Sequence, residues 1–556
     1  MSRRRAWLAA ISLFALAVGV RAVAAGMISF PATEDSAYYV DVARSLVTGH
    51  GLVINAIWSY ATPPLVVPKP AFELWLPMAT FISALPMAIV GATFSAAQWG
   101  SVVVGALIAP LSWLVGREAA GAAGLEPRRA ATVAIGSGLV AAVLGPLVVA
   151  TAVPDSTTPF LVFGVLAALL MPRALPDPRP DQRPGRFAPA RFAPGVALGV
   201  VLGLAYLSRQ EAVWLGIAYL VLLFEVVRRF EAGSRLRSAA GALGPVVLAG
   251  LVVVVPWLAR NAAVFGSPFA GQALQNALLV RNEQIFAYAD PPTLSGFLSQ
   301  GLGSMAGNVG GAVSHDLLSV LVIPAFPVGL VGLLALIAMR RSPAVRRPTA
   351  LRALILGGVV TLLVTDLLFP VATLWGTFLH ASGPLLVGLS VLAVMGLDAL
   401  VARVRSARSW PRSNAWLAPA ILLAVAVPLL GLQVLVVERQ ASVQQSLLST
   451  VSAQLRALGL LDARMPPVPI ISDHPIWLSD ALGTPVIALP DEPPPDLARL
   501  GHDFGASLVV VLDKRGRYPD ALLSAPGASC LAGAPTPLGD AAHPAWLFRI
   551  AAQCQP

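Results

Sequence analysis

TEDSAYYVDVARSLVTGHG, residues 33–51, follows the first long apolar run of the chain and carries two adjacent carboxylates, Glu34 and Asp35. Ionised groups beside hydrocarbon are costly, so carboxylates at the mouth of an apolar segment are candidates for function. An isolated pair also has a plainer reading, an acidic cap on a helix at a membrane surface. The remainder of the chain weighs one reading against the other.

The 556 residues are 56% hydrophobic and 12% charged, with a mean hydropathy of +0.76. Repeated apolar runs of about 20 residues at this composition specify an α-helical polytopic membrane protein. The net charge of +10 does not point to nucleic acid. Its arginines sit in short loops between apolar runs, as the positive-inside rule requires. Of the 38 basic residues, only Lys69 and Lys514 are lysine.

The clusters Arg3 to Arg5, Arg117 to Arg129, Arg173 to Arg191, Arg228 to Arg237, Arg340 to Arg347 and Arg403 to Arg412 mark inner loops. Between consecutive clusters the chain must leave and return. The predicted spans lie near 7–28, 98–116, 130–150, 156–172, 193–208, 211–227, 239–258, 317–339, 350–368, 374–400 and 414–436. About eleven transmembrane helices with an inner N-terminus place the C-terminus outside, in a multi-pass plasma-membrane protein. Residues 72–93 are apolar but break this parity and contain Pro77 and Pro86, which predicts a re-entrant or interfacial helix. The first span is read as a retained anchor rather than a cleaved signal peptide. The Pro- and Arg-rich stretch 175–194 reads as a solvated connector.

The membrane domain is thus expected over 1–437, with a first outer loop at 30–97 and a second at 261–315. Residues 438–556 are too polar to span and predict a small extracytoplasmic α/β domain. Short apolar runs PVPIIS (467–472), PVIALP (485–490) and SLVVVLD (507–513) flank helix-like DLARLGHDFGA (496–506), the pattern of a partly parallel sheet. Both cysteines, Cys530 and Cys554, fall here. On an oxidising face they read as a disulfide worth roughly 3 kcal/mol, with two unrelated thiols as the alternative.

The unusual polar groups gather on the predicted outer face: Glu34 and Asp35, Lys69, Asp155, Arg209 and Glu211, Arg260 and Asn261, His315 and Asp316, and His380. Taken singly, each reads as a helix-end charge whose stem snorkels to the interface. Taken together, they describe an interfacial pocket open to lipid and water. His315 and Asp316 are expected to cap the following span.

The ordered combination of motifs resembles the GT-C superfamily of polyprenyl-phosphate-sugar-dependent membrane glycosyltransferases. Its relatives include protein O-mannosyltransferases, aminoarabinose transferases and bacterial RgtA/B/C/D-like members. EDSAYYVDVARSLVTGHGL resembles the first outer loop of that superfamily, and KPAFELWLPMATF (69–81) a helix motif that often carries Pro-Pro-Leu. LSRQEAVWL (207–215), PWLARNAAVFGSPF (256–269) and ISDHPIWLSDALGTPVIALP (471–490) match in order. The resemblance covers nearly the whole chain. One departure is Ala71, where that helix motif has its second proline.

The resemblance implies transfer of a sugar from a polyprenyl phosphate to an acceptor hydroxyl, with inversion at the anomeric carbon as the expected stereochemistry. The acceptor class, whether protein, lipid or polysaccharide, is open, and membrane lipid surrounds the enzyme. Asp35 matches the acidic position expected to act as general base, a role worth a factor of about 10²–10⁴. Glu34 is the alternative base, a paired carboxylate or a metal contact. Asp155 matches a second acidic position that orients acceptor or donor. Arg260, Lys69 and Arg209 are the candidates to hold the leaving phosphate, Arg209 ranking last because Glu211 lies beside it. His380 and Tyr38 are assigned to the substrate pocket. Metal use is undecided: no cofactor is certain and a divalent metal ion on Glu34 or Asp35 is possible, and their adjacency does not settle it, since neighbouring helical residues point about 100° apart. Asp473, His474 and Asp480 in the tail carry no metal-ligand spacing.

Two other function classes compete. A transporter or flippase of a polyprenyl-linked substrate predicts midplane polar residues and inverted repeats, and neither is evident in the sequence. A non-catalytic envelope-assembly subunit predicts nothing for Asp35, Lys69 or Arg260.

Overall fold

The computed structural model describes residues 3–176, 189–409, 414–461, 468–492, 496–512, 531 and 534–551. The expected Cys530–Cys554 disulfide lies outside these residues.

Apolar helices occupy every expected span. Among the described residues, seven are long and apolar enough to cross a membrane: Arg3–Met27, Phe94–Ala122, Thr157–Ala174, Ala232–Phe265, Ala350–Leu368, Gly383–Ala407 and Leu417–Ala457. Pro127–Val143 and Gly145–Ala152 form an eighth as a pair bent by 51°. Shorter apolar helices, Phe192–Tyr206, Ala212–Val227 and Val328–Ala338, stand at the remaining expected spans, the last preceded by a π-helical stretch at Asp316–Val322. The odd stretch 72–93 holds the 13-residue helix Met78–Val90. At 1.5 Å per residue it is about 20 Å long, short of a hydrocarbon core of about 30 Å. Leu85, Ile89 and Val90 stand exposed on it, as an interface-lying helix requires.

The bend in the paired span has a local cause. Pro146 has no N–H, so the Ala142 carbonyl loses its helical donor. Arg21 of the first helix fills the gap: Nη1 donates to Ala142 O (3.3 Å) and Nε to Thr151 Oγ1 (2.7 Å). A fully buried arginine thereby ties the first span to the break.

Among the described residues, eight short strands follow the chain: β1 (Val53–Ile54), β2 (Ala56–Ile57), β3 (Lys69–Pro70), β4 (Ile470–Ser472), β5 (Val486–Ala488), β6 (Leu508–Val511), β7 (Thr536–Gly539) and β8 (Pro544–Arg549). β1 and β3 pair with each other. The others form one sheet in the order β2-β5-β4-β6-β8-β7, parallel from β2 to β6 and antiparallel beyond. The three tail runs read as strands and the helix at Asp496–Phe504 all form where the sequence places them.

The expected boundary at 437 does not coincide with a structural break. Leu417–Ala457 is one continuous helix, because leaving the apolar layer changes which side chains it carries and not its backbone. Its last turns bury Leu447, Leu448, Val451 and Leu455 against Ile470, Val486 and Leu508. Nor does the tail close its own sheet: β2, from the first outer loop, covers the β5 edge, which would otherwise expose unpaired backbone groups. First loop and tail thus share one core of Ile57, Tyr60, Ile471, Ile487 and Val509.

The topology predicts opposite faces for residues 125 and 460. With Cys530 and Cys554 replaced by serine, single cysteines at Leu125 and Leu460 should react with an impermeant maleimide from opposite sides of sealed vesicles. Labelling from one side would overturn the odd number of crossings.

Candidate functional site

Thr33 caps the Glu34–Val47 helix, its Oγ1 accepting from Ser36 N (3.2 Å). Glu34 and Asp35 therefore occupy the first turn, where the helix dipole favours negative charge. Their side chains diverge. Glu34 turns to the tail, Oε1 accepting from Ile476 N (3.1 Å) and Oε2 lying 3.6 Å from His474 Nδ1. Asp35 turns to the bundle, its Oδ2 3.5 Å from His380 Nε2 and its side chain 28% exposed.

Asp155 sits just before the Thr157–Ala174 helix. Its Oδ1 accepts from Thr157 N (2.7 Å) and Thr157 Oγ1 (2.6 Å) and lies 3.2 Å from His380 Nδ1. Thr157 Oγ1 also stands 3.0 Å from that nitrogen. His380 thus bridges two carboxylates with its two ring nitrogens. Its short helix begins after Gly376, whose φ of +117° disfavours any side chain; a Cβ there would come within 3.1 Å of the His380 ring.

The two carboxylates are tuned apart. Burial pushes the Asp35 carboxyl above the usual carboxylate range, and the neighbouring Asp155 and Glu34 charges add to the rise against His380 and Arg209. Burial acts on Asp155 in the same sense, but His380 and the Thr157 donors outweigh it and hold its pKa at about 2. Burial disfavours the charged His380 imidazole, yet Asp155 and then Asp35 raise its pKa above the ordinary histidine value. Separated acid strengths on paired groups are how a site divides the roles of fixed charge and proton acceptor.

Arg209 joins this cluster despite its neighbour. It grips Glu211 with Nε (3.2 Å) and Nη2 (2.7 Å), while Nη1 donates to Ser156 Oγ (2.9 Å), next to Asp155. Arg260 lies apart, stacked about 5 Å from the Trp257 and Phe265 rings, with Nη1 on Asn261 Oδ1 (3.1 Å). Among the described residues that is its one hydrogen bond, so most of its five donors are free for a ligand.

Two expected ligand-binding residues are engaged within the protein. Lys69 is buried, its ammonium 2.5 Å from Glu73 Oε2 in an ion pair and donating to Ser59 O (3.0 Å) and Thr62 O (3.2 Å), so its charge is already met by a carboxylate. Burial lowers the Lys69 pKa and raises that of Glu73 to about 7 despite the pair. Tyr38 accepts from Phe72 N (2.6 Å) and packs 4.2 Å from the Trp75 ring, holding a loop in which Phe72 adopts φ +73°. Nor are His315 and Asp316 a simple cap. Asp316 lies 2.8 Å from His315 Nδ1 and accepts from Thr373 Oγ1 (2.7 Å), bracing the segment that carries His380.

The tail residues also serve structure. Asp480 meets Arg44 Nη1 at 2.5 Å, Trp477 Nε1 donates to Pro31 O (3.1 Å), and Asp473 accepts from Leu512 N (2.9 Å). The tail is therefore docked on the helix that carries Asp35. The sequence reading missed Thr157 and Glu73. Asp-x-Thr at a helix start is an Asx-turn signal, and Lys69 and Glu73 stand at i, i+4.

Ligand atoms of Asp35, Asp155 and His380 lie within 4.8 Å of one another, the one such group among the described residues. Two carboxylates and an imidazole suit a divalent cation, and every Asp155 hydrogen bond among these residues goes to Oδ1, leaving Oδ2 open. Glu34 is not part of the group.

Lys69→Met should cost on the order of 3 kcal/mol, because it strands the buried Glu73 carboxylate, and Lys69→Met with Glu73→Met should recover most of it in denaturant melts. A Lys69→Met protein of wild-type stability but without activity would return Lys69 to the substrate.

No protein-family model matches the chain, and no curated protein sequence matches it. Among solved structures it is similar to ArnT from Cupriavidus metallidurans in the apo state, at 16% identity over the whole of both chains with a TM-score of 0.57. ArnT bound to undecaprenyl phosphate matches at 15% identity over 99% of each chain, with a TM-score of 0.55. The oligosaccharyltransferase of Archaeoglobus fulgidus in complex with Zn and sulfate matches at 13% identity over 91% of this chain and 68% of that one, with a TM-score of 0.53. At such identities the likeness is one of architecture: the chain has the fold that these structures share.

Proposed function

We propose that the chain is an integral-membrane glycosyltransferase that moves a sugar from a polyprenyl phosphate to an acceptor hydroxyl at the outer face. The observation that carries this reading is the His380 imidazole bridging Asp35 and Asp155 at two helix N-termini on one end of the bundle. The undecaprenyl phosphate bound by the similarly folded ArnT supports the donor class.

Asp35 is the base. Its raised proton affinity and partial exposure suit a group that accepts a proton in the reaction. The acceptor hydroxyl gives its proton to an Asp35 oxygen as its own oxygen bonds the anomeric carbon. The bond from that carbon to the phosphate oxygen breaks on the opposite face, with inversion. Asp155 stays ionised and holds Nδ1 of His380, which keeps Nε2 directed at Asp35. Arg260, with free donors over an aromatic floor, and Arg209, beside Asp155, offer the positive charge that the departing phosphate needs. A divalent cation, where one binds, would be held by Asp35, Asp155 and His380 and would polarise phosphate oxygens.

Membranes supplied with a panel of radiolabelled polyprenyl-phosphate sugars test the reading. Asp35→Asn should lower transfer by about 10²–10⁴-fold, and full activity in that variant would remove Asp35 as base. Chelation followed by metal add-back separates the metal-assisted route from the metal-free one. Absence of transfer with every donor would favour the non-catalytic assembly subunit.

A further inference from the structure

The opposite end of the bundle carries a cavity of about 700 Å³ walled by arginines. Arg228 and Arg229 come from the end of the Ala212–Val227 helix, Arg340, Arg341, Arg346 and Arg347 from the turn before the Ala350–Leu368 helix, and Arg352 from that helix's first turn. The volume falls in the range of small-molecule sites, roughly 300–1,000 Å³. Glu225 is the one carboxylate in the lining, and Arg352 Nη2 already holds its Oε1 at 2.5 Å. The other six arginines have no carboxylate partner among the described residues.

Topology alone asks for arginines near span ends. It does not ask that two loops remote in sequence converge their guanidinium groups on one hollow, where like charges repel unless an anion sits among them. Depth narrows the choice of anion. The cavity lies where the Ala212–Val227 helix ends and the Ala350–Leu368 helix begins, at the level of headgroups. Ile355 and Leu356, one turn further into the bundle than Arg352, close its inner end, Ile355 as part of the buried core. An anion anchored by lipid tails is held at headgroup level, whereas a freely soluble phosphate is not.

We propose that this cavity binds the phosphate headgroup of an anionic phospholipid. The arginines grip phosphate oxygens in their forked, bidentate geometry, and the acyl chains extend into the adjoining bilayer. The site is separate from the acidic cluster and does not rest on the transfer reaction.

The test uses the full chain in phosphatidylcholine nanodiscs containing a minor fraction of cardiolipin, with retained cardiolipin measured by native mass spectrometry. R228Q/R229Q and R341Q/R346Q come from different loops and alter exposed side chains. Each should weaken retention by about tenfold or more, at roughly 1 kcal/mol per arginine near an anionic surface. R403Q/R408Q, in another inner arginine cluster, should leave it near wild type. An equal loss in R403Q/R408Q, or no loss in either cavity pair, would overturn the proposal. Inorganic pyrophosphate should compete only at millimolar concentration. Displacement of cardiolipin at micromolar pyrophosphate would assign the cavity to a soluble phosphate and sink the lipid.

Discussion

The bridge from Asp155 through His380 to Asp35 is the contact on which the outer half of the structure depends. It joins the start of the first outer helix, the start of the Thr157–Ala174 helix and the short turn before Gly383–Ala407. Each carboxylate stands at a helix N-terminus, and a protonated imidazole between them would let two acidic groups share one space. Around the bridge, Thr157 fixes Asp155, Arg209 adds positive charge from the side, and Gly376 makes room for the ring. Glu34, one residue from Asp35, faces the other way and fastens the tail to the same helix. One helical turn thus makes two unlike contacts, with the acidic cluster of the bundle on one side and with the tail on the other.

Polarity is distributed along the bundle in the same sense. The acidic cluster and its cations occupy one end and the arginine-lined cavity the other, with apolar helices between. In this middle layer the buried Arg21 is spent on a backbone carbonyl that Pro146 leaves without a donor. The tail is not an appendage: the Leu417–Ala457 helix feeds its core, and β2 completes its sheet.

Much of this was legible in the sequence for identifiable reasons. Arginine clusters set the span order, because charge in short loops is costly to move across hydrocarbon. The buried runs IIS, VIA and LVVV became strands where apolar β-branched residues stood between turn signals. What stayed hidden was set by tertiary contacts. Whether Glu34 or Asp35 faces the bundle depends on which partner each meets, and β2 is two residues long, too short to leave a pattern. Lys69 reads as a free cation until its i, i+4 partner Glu73 is buried beside it. The composition change near 437 marks where a helix leaves the apolar layer, which composition cannot tell from where a helix ends. Arg209 looks committed to Glu211, yet a guanidinium has donors to spare and the third goes to Ser156.

The central claim is that Asp35 and His380 act as one proton-handling unit, and a double-mutant cycle addresses it directly. Transfer rates from a polyprenyl-phosphate sugar would be compared for wild type, Asp35→Asn, His380→Gln and the double variant. Groups that work as a unit are strongly non-additive, so the double variant should be no slower than the slower single one. Losses that multiply would contradict the account and assign the two residues to separate roles.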